Sequence, residues 1–379
     1  MGCWQDAGAF PAMPMPSSPL PRLAHIEQAR RAVMQRGDEA GAPAIEPWIA
    51  ASWRRCLQRG QRPQDGVDFD LVSEASVRRI GERSHALREA AAPVLADLSR
   101  TIAPTRYFSI LTDAQGVVVD VGGAPDMRQR AVRAIARVGV DLSEGRVGTT
   151  AISAALTELH PVWLHRGEHF FDVTSVYSCA GAPIFGPDGC CAGMLDLTGV
   201  QAAERPELRH LAAQMALRVE RALLLAVPHQ HRLQVQWPGP ATDGNAGLLA
   251  IDGDGAIVGA DRVACAMLGL RRDPVAQSFG TLEDTFATAS GPLLGLRPGQ
   301  VPRLVPLWSG LQVRVASARA DGDAGADPLR AASARLRDTE TTLIRRAVDA
   351  ARGNVAEAAR QLGISRATIY RRLAPGRQR

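Results

Sequence analysis

Apolar residues recur along this chain at two spacings, and the switches between them outline its architecture. In IEPWIAASWRRCLQRGQRP, Ile45, Trp48, Ile49 and Trp53 stand at helical spacing. The helical pattern resumes through SVRRIGERSHALREAAAPVLADLSRTIA, where Pro93 predicts a kink or a boundary. YFSILTDAQGVVVDVGG then reads as a strand, a turn at 113–116 and a second strand. Helical segments are expected over 127–138 and 149–159. Sheet returns in PVWLHRGEHFF and in the pair YSCAGAPIF and CCAGMLDLTG, joined by GPDG. A helix over 206–227 places Leu208, Leu211, Met215, Val219 and Leu223 three or four residues apart. Helix, sheet, helices, sheet, helix is the order of an α+β sandwich.

A smaller module of the same kind starts near Gly247. GLLAIDGDGAIVGAD is strand, turn, strand; RVACAMLGL is helical; VPRLVPLWSGLQVRVASA returns to strand. DGDAGADPL is a Gly/Asp/Pro linker, and the last forty or so residues form a separate helical unit. Residues 1–24, rich in Pro, Met and Ala, are expected to be disordered. The resulting division is 1–44 disordered or helical, 45–84 helical, 85–227 a sensor-sized sandwich, 245–318 a small α+β module, 319–337 linker and 338–375 all-α.

Composition removes several classes of function. All 44 basic residues of this 379-residue chain are arginine. No Schiff-base lysine is therefore available, and no phosphate-binding loop ending in Gly-Lys-Ser/Thr. The formal charge of +5 suits a nucleic-acid partner without requiring one. The six cysteines form no C-x-x-C pair and no disulfide framework. No apolar run approaches the roughly 18 residues of a spanning helix, and the first residues lack a signal-peptide pattern. These features predict a soluble cytoplasmic protein with no membrane partner and no cofactor.

Two sharper chemistries are weighed and set aside. HRGEH, 165–169, matches H-x-x-E-H literally, but zinc peptidases need both histidines on one helix face. Gly167 interrupts this stretch and PVWL before it reads as strand, so no metal site is expected. Cys179 and Cys190 lie on successive expected strands, close enough to raise a thiol redox reading. Small buried thiols are nevertheless ordinary core residues, and the adjacent Cys190 and Cys191 point to opposite faces.

The carboxyl end, GNVAEAARQLGISRATIYRRL, carries the plainest chemistry. Leu343, Ile344, Ala347, Val348 and Ala351 line one face of a first helix, and Gly353 suits its left-handed stop. Asn354 with Glu357 makes the cap of a second helix, whose Val355, Ala358, Ala359 and Leu362 turn inward. Gly363 permits a sharp turn, Ile364 fills the corner, Ser365 caps a third helix, and Ile369 and Leu373 anchor it. Ala359, Gly363 and Ile369 have the spacing of a helix-turn-helix. The third helix presents Arg366, Ala367 and Tyr370 towards bases, with Ser365, Thr368, Arg371 and Arg372 largely on phosphates. No acidic residue follows Glu357.

This segment resembles the Fis-type DNA-binding domain that ends many bacterial enhancer-binding regulators. The resemblance implies dimers. SWRRCLQRG, ILTDAQGVVVDVGG, LSEGRVGTTAISAAL, GEHF and APIFGPDGCCAGMLDLTG resemble the acetoin-catabolism-regulator branch of the sigma-54-dependent, Fis-type family. In that family these stretches form a GAF domain, a small-molecule sensing fold, and the 247–318 region is similar to the PAS-like module that follows. The resemblance implies a ligand cavity near the helix start in EGRVGTTAISAAL and the loop and strand GEHFFDVTSVYSCAGAP. Its candidates are Gly148, Thr149, Thr150, Glu168, His169, Tyr177 and Cys179. Family members carry an AAA+ ATPase before the DNA reader, whereas only a short linker separates Ala318 from Thr339 here. The expected partners are double-stranded DNA, an unidentified small-molecule effector, a second copy of the chain, and RNA polymerase where occupancy activates. The alternatives weighed are a thiol redox sensor or methionine sulfoxide reductase-like enzyme, and an architectural DNA-bending protein.

Overall fold

The fold was obtained as a computed structural model that describes residues 19–36, 45–239, 246–273 and 278–318, with Asn354, Val355, Glu357 and Ala359 beyond them. Two compact units divide the chain, Met1–Ala318 and Arg319–Arg379. The first opens with four helices, α1 (Pro19–Arg36), α2 (Pro47–Gln58), α3 (Glu74–Arg83) and α4 (His85–Ile102). Strands β1 (Tyr107–Asp113) and β2 (Val118–Gly122) follow, then short helices α5 (Arg130–Ile135), α6 (Glu144–Val147) and α7 (Ala151–Glu158). Strands β3 (Val162–His165), β4 (Tyr177–Phe185) and β5 (Cys191–Val200) complete a five-stranded antiparallel sheet, order β2-β1-β5-β4-β3.

Period-two alternation gives this sheet two apolar faces. Tyr107, Leu111, Ala180, Ala182, Leu195 and Leu197 pack against α4 and against α8 (Leu208–Ala226). Phe108, Ile110, Tyr177, Cys179 and Met194 face the α5–α7 side. The α+β sandwich read from the sequence is thus observed, with three local corrections. The long helical pattern breaks at Ser84 rather than at Pro93, which lies inside α4. Burial of Ala91, Val94, Leu95 and Leu98 around Pro93 keeps α4 continuous despite the missing donor. Helix α5 is shorter than the 127–138 predicted. Helix α1 covers 19–24, the end of the stretch expected to be disordered, while 1–18 lie outside the described residues; Pro19 and Pro21 fall in its first turn, where no N–H is needed.

A second antiparallel sheet contains β6 (His231–Gln236), β7 (Gly247–Ile251), β8 (Ile257–Ala260), β9 (Arg303–Pro306) and β10 (Gln312–Ser317), ordered β8-β7-β6-β10-β9. Its central strand β6 falls outside the predicted 245–318 module. Only Leu233 and Val235 are apolar in HRLQVQ, too short an alternation to stand out. Helix α8 joins the two sheets: Leu224 at its end packs with Leu248 and Ala250 of β7. One turn earlier, buried Glu220 accepts the Phe185 N–H at 3.1 Å and lies 3.8 Å from Arg262. Burial pushes the Glu220 carboxyl up to about 7 against the pull of Arg262.

Candidate functional site

A narrow cavity of about 30 Å³ lies on the α5–α7 side of the first sheet, room for one or two waters. Apolar walls come from Phe69, Ile110, Ile135, Leu142, Val147 and Ile152. The polar side chains along it are Thr150, His169, Thr174, Tyr177, Cys179, Asp196 and Thr198. Four of the seven residues expected at a ligand cavity, Thr150, His169, Tyr177 and Cys179, therefore meet there. Strands β4 and β5 bring Cys179 opposite Thr198 in register, which sets the floor.

Asp196 is the feature that the sequence reading missed. It is fully buried, accepts a short hydrogen bond from the Thr198 hydroxyl through Oδ2, and leaves Oδ1 without a partner. Burial raises its carboxyl to about 7, with the Thr198 bond opposing. His169 is equally buried; its Nδ1 lies 2.9 Å from the Arg166 carbonyl and its Nε2 is unpartnered. Burial lowers its pKa to about 4, so the ring is neutral at physiological pH. Because the folded pKa of Asp196 exceeds the unfolded value, its contribution to stability is full below about pH 4 and lost as pH rises through about 7. Relative to Asp196→Asn, the wild type is expected to lose roughly 3–4 kcal/mol of stability across that window, read by denaturant titration. Parallel pH profiles for the two proteins would contradict this assignment.

The other three expected residues are turned away from the cavity. Gly148 has φ 66°, and a Cβ there would meet the Phe171 ring at 2.9 Å, so it serves a close turn. Thr149 bonds Ser52 at 2.7 Å under α2. At this helix start the Gly148 N–H goes to Glu144, the Thr150 N–H to Ser153 and the Ser153 N–H to Thr150. Glu168 is buried but points away from the cavity, accepting the His165 N–H at 2.6 Å and pairing with Arg22 of α1 at 3.1 Å. Burial raises Glu168 to about 7, partly offset by Arg22.

These motifs instead fasten the amino-terminal helices to the sheet. The Trp53 indole donates to the Glu168 carbonyl at 3.0 Å. Ser52, Arg55 and Arg59 of SWRRCLQR all bond Glu144 of LSEGR. Burial pushes the Glu144 carboxyl up, but the bonds from Arg55, Ser52 and Arg59 outweigh it and hold the pKa below its usual value. From α1, buried Arg30 donates to the carbonyls of Gly167 (2.9 Å), His169 (2.5 Å) and Phe170 (3.1 Å) and to Asp172 (2.7 Å).

Geometry also bears on the set-aside chemistries. His165 ends β3 and bonds Ser178 at 2.8 Å, while 166–168 form one 3-10 turn, so the two histidines share no α-helix face. Cys179 pairs with Thr198, whereas Cys191 pairs with Phe185, six residues along β4. At roughly 3.4 Å per residue, that separates Cys179 from the Cys190 end of the hairpin by about 20 Å. The proposed closeness of Cys179 and Cys190 does not occur.

Residues 27–220 match the family described as MimR, N-terminal domain, and residues 335–374 match the family described as Bacterial regulatory protein, Fis family. The chain belongs to the MimR N-terminal domain family. Similar to it is the acetoin catabolism regulatory protein of Cupriavidus necator, 32% identical over 276 residues, 68% of this chain and 41% of that protein. The acetoin dehydrogenase operon transcriptional activator AcoR of Bacillus subtilis is 29% identical over 175 residues, 46% of this chain and 29% of that protein. The chain thus spans less than half the length of these curated relatives. The crystal structure of the E. coli DhaR(N)-DhaL complex aligns at 17% identity and TM-score 0.45, over 73% of this chain and 100% of that one.

Within this MimR N-terminal domain family member, the matched family region covers the cavity and the fastening residues Arg30, Ser52, Trp53, Arg55, Arg59 and Glu144. In the Fis-matched segment the Glu357 N–H donates to the Asn354 side chain at 3.2 Å, the cap expected from sequence, and Ala359 is buried. Ser365, Arg366, Ala367, Thr368, Tyr370, Arg371 and Arg372 lie outside the described residues. No helix among the described residues is long and apolar enough to cross a membrane.

Proposed function

We propose that this chain is a sequence-specific DNA-binding transcription regulator whose first unit senses a small molecule. The observation that carries the reading is the Fis-family match over 335–374, a span that includes Arg366–Arg372. The cavity around Asp196 supports the sensing half, since its polar atoms have capacity left for a ligand. Helix α8 supports a route out of the sensor, because it packs on the first sheet and ends against β7. A ligand shifts DNA occupancy only by binding one arrangement better than another.

On this reading the protein works in the cytoplasm as a homodimer, is not an enzyme and needs no cofactor. Occupancy itself is the output, by blocking a promoter or by contact with RNA polymerase. The domain division is 45–84 helical, 85–227 GAF-like, 245–318 PAS-like with β6 added, 319–337 linker and 338–375 DNA-reading. The first test is Arg366→Ala in the full chain. A bidentate contact to one base predicts a loss of roughly 1–3 kcal/mol confined to operators that keep that base. Unchanged affinity for every operator would remove Arg366 from the interface.

A further inference from the structure

Resting on the DNA-binding reading above, we propose that helix α5 and the turn before it form a second DNA contact, in which Arg128, Arg130 and Arg133 hold backbone phosphates without reading sequence. The stretch VGGAPDMRQRAVRAIARVGV, 121–140, carries four arginines and one acid, a net +3. Local structure turns all four arginines outward. Val132 and Ile135 fix the inner face of α5 in the core beside Ile110 and Met194. Arg130 and Arg133, three residues apart, therefore share the opposite face. Arg128 and Arg137, on either side of the helix, are exposed as they are.

The partners of these side chains decide what the face attracts. Elsewhere on the first unit exposed arginines meet carboxylates: Arg31 pairs with Glu27, Arg59 with Glu144 and Arg218 with Asp97. Around α5 the partners are neutral. Arg133 Nη1 donates to the carbonyls of Met127 (2.9 Å) and Arg128 (3.1 Å), and Arg137 Nη2 to those of Phe69 (3.0 Å) and Ala134 (3.3 Å). A carbonyl orients a guanidinium without cancelling its charge, and each arginine keeps N–H groups for a further acceptor. Arg128 and Arg130 make no side-chain hydrogen bond or ion pair among the described residues. Asp126, the one acid of the stretch, accepts the Arg128 N–H and the Gln129 side chain, both at 3.1 Å. Asp68 and Asp70 flank Phe69 at the Arg137 end, which leaves the Arg128–Arg133 end the more positive.

DNA phosphates fit this pattern. They offer charged acceptors at regular intervals along a duplex, require no pocket, and accept the two parallel N–H bonds of an arginine fork. Contacts of this kind position a protein and add no sequence preference. The Fis-matched segment lies on the same chain, so once it holds DNA, α5 meets phosphates at a raised effective concentration. A contact too weak to form by itself is then populated.

Fluorescence anisotropy of the full chain on a labelled unrelated duplex of about 40 base pairs, over roughly 50–200 mM salt, tests this. Arg128→Gln combined with Arg130→Gln should flatten the plot of log affinity against log salt by about 1.8, two phosphate contacts at roughly 0.9 each. The melting temperature should stay at the wild-type value, because neither side chain holds the fold. Arg78→Gln combined with Arg83→Gln removes the same charge from exposed positions of α3 and should leave the slope largely in place. An unchanged slope in the α5 variant would overturn the proposal and leave these arginines to an acidic protein surface. Equal flattening by both variants would overturn it too, since net charge rather than contact would then be the cause. A wild type that binds no duplex at any salt removes the DNA-binding reading itself, and this inference with it.

Discussion

Replacing Arg30 with alanine is expected to destabilise the first unit by roughly 3–5 kcal/mol, the range for breaking a buried charge network. Arg30 is buried and satisfies three main-chain carbonyls and the Asp172 carboxylate with one guanidinium. Removing it strands those acceptors and detaches α1 from the loop that carries His169. Thermal unfolding should move down by roughly 10 °C for a unit of this size. Arg30→Lys should rescue little, because an ammonium is a point charge and cannot span four acceptors in a fixed fork. A wild-type melting temperature in Arg30→Ala would mean that α1 is not fastened in this way.

Deleting residues 339–379 is expected to abolish specific DNA binding, removing the whole gap of roughly 4–10 kcal/mol between operator and unrelated DNA. That segment holds nine arginines and three acidic residues, a net +6, while the rest of the chain is at −1. The attraction to phosphates is therefore concentrated where the Fis family match lies, and binding by the full chain should fall steeply with salt. Met1–Ala318 is a compact unit by itself, so the shortened protein should keep its fold and its ligand response. Fluorescence anisotropy on a labelled operator reads the loss. Undiminished affinity would place the DNA contacts elsewhere.

Much of the first unit was legible because its strands are long and bounded by turn residues. The β4–β5 hairpin around GPDG and the α8 face from Leu208 to Leu223 emerge directly from spacing. His169, Tyr177 and Cys179 were reachable through the resemblance to a sensing fold. Asp196 was not, because MLDLT reads as an apolar strand with one interrupting acid. Its meaning depends on knowing that both sheet faces are covered. With that known, period two puts Asp196 beside Met194 and Thr198 on a buried face, and an acid there demands a partner.

Glu168 shows the opposite failure. It neighbours His169 in sequence, yet the 3-10 turn at 166–168 sends the two side chains to different environments, α1 for one and the cavity for the other. No strand or helix period applies within such a turn. Helix α1 was hidden for a related reason: its prolines resemble those of a loop until they are placed in a first turn.

The most direct measurement of the account is competition between DNA fragments for the purified full chain. A genomic fragment recovered with the protein would be titrated against unrelated DNA at fixed salt, with and without ATP. The account predicts a preference of about a thousandfold or more, indifferent to nucleotide and reduced when the cavity ligand favours the other arrangement. Equal affinity for both DNAs, or binding that requires ATP hydrolysis, would contradict it.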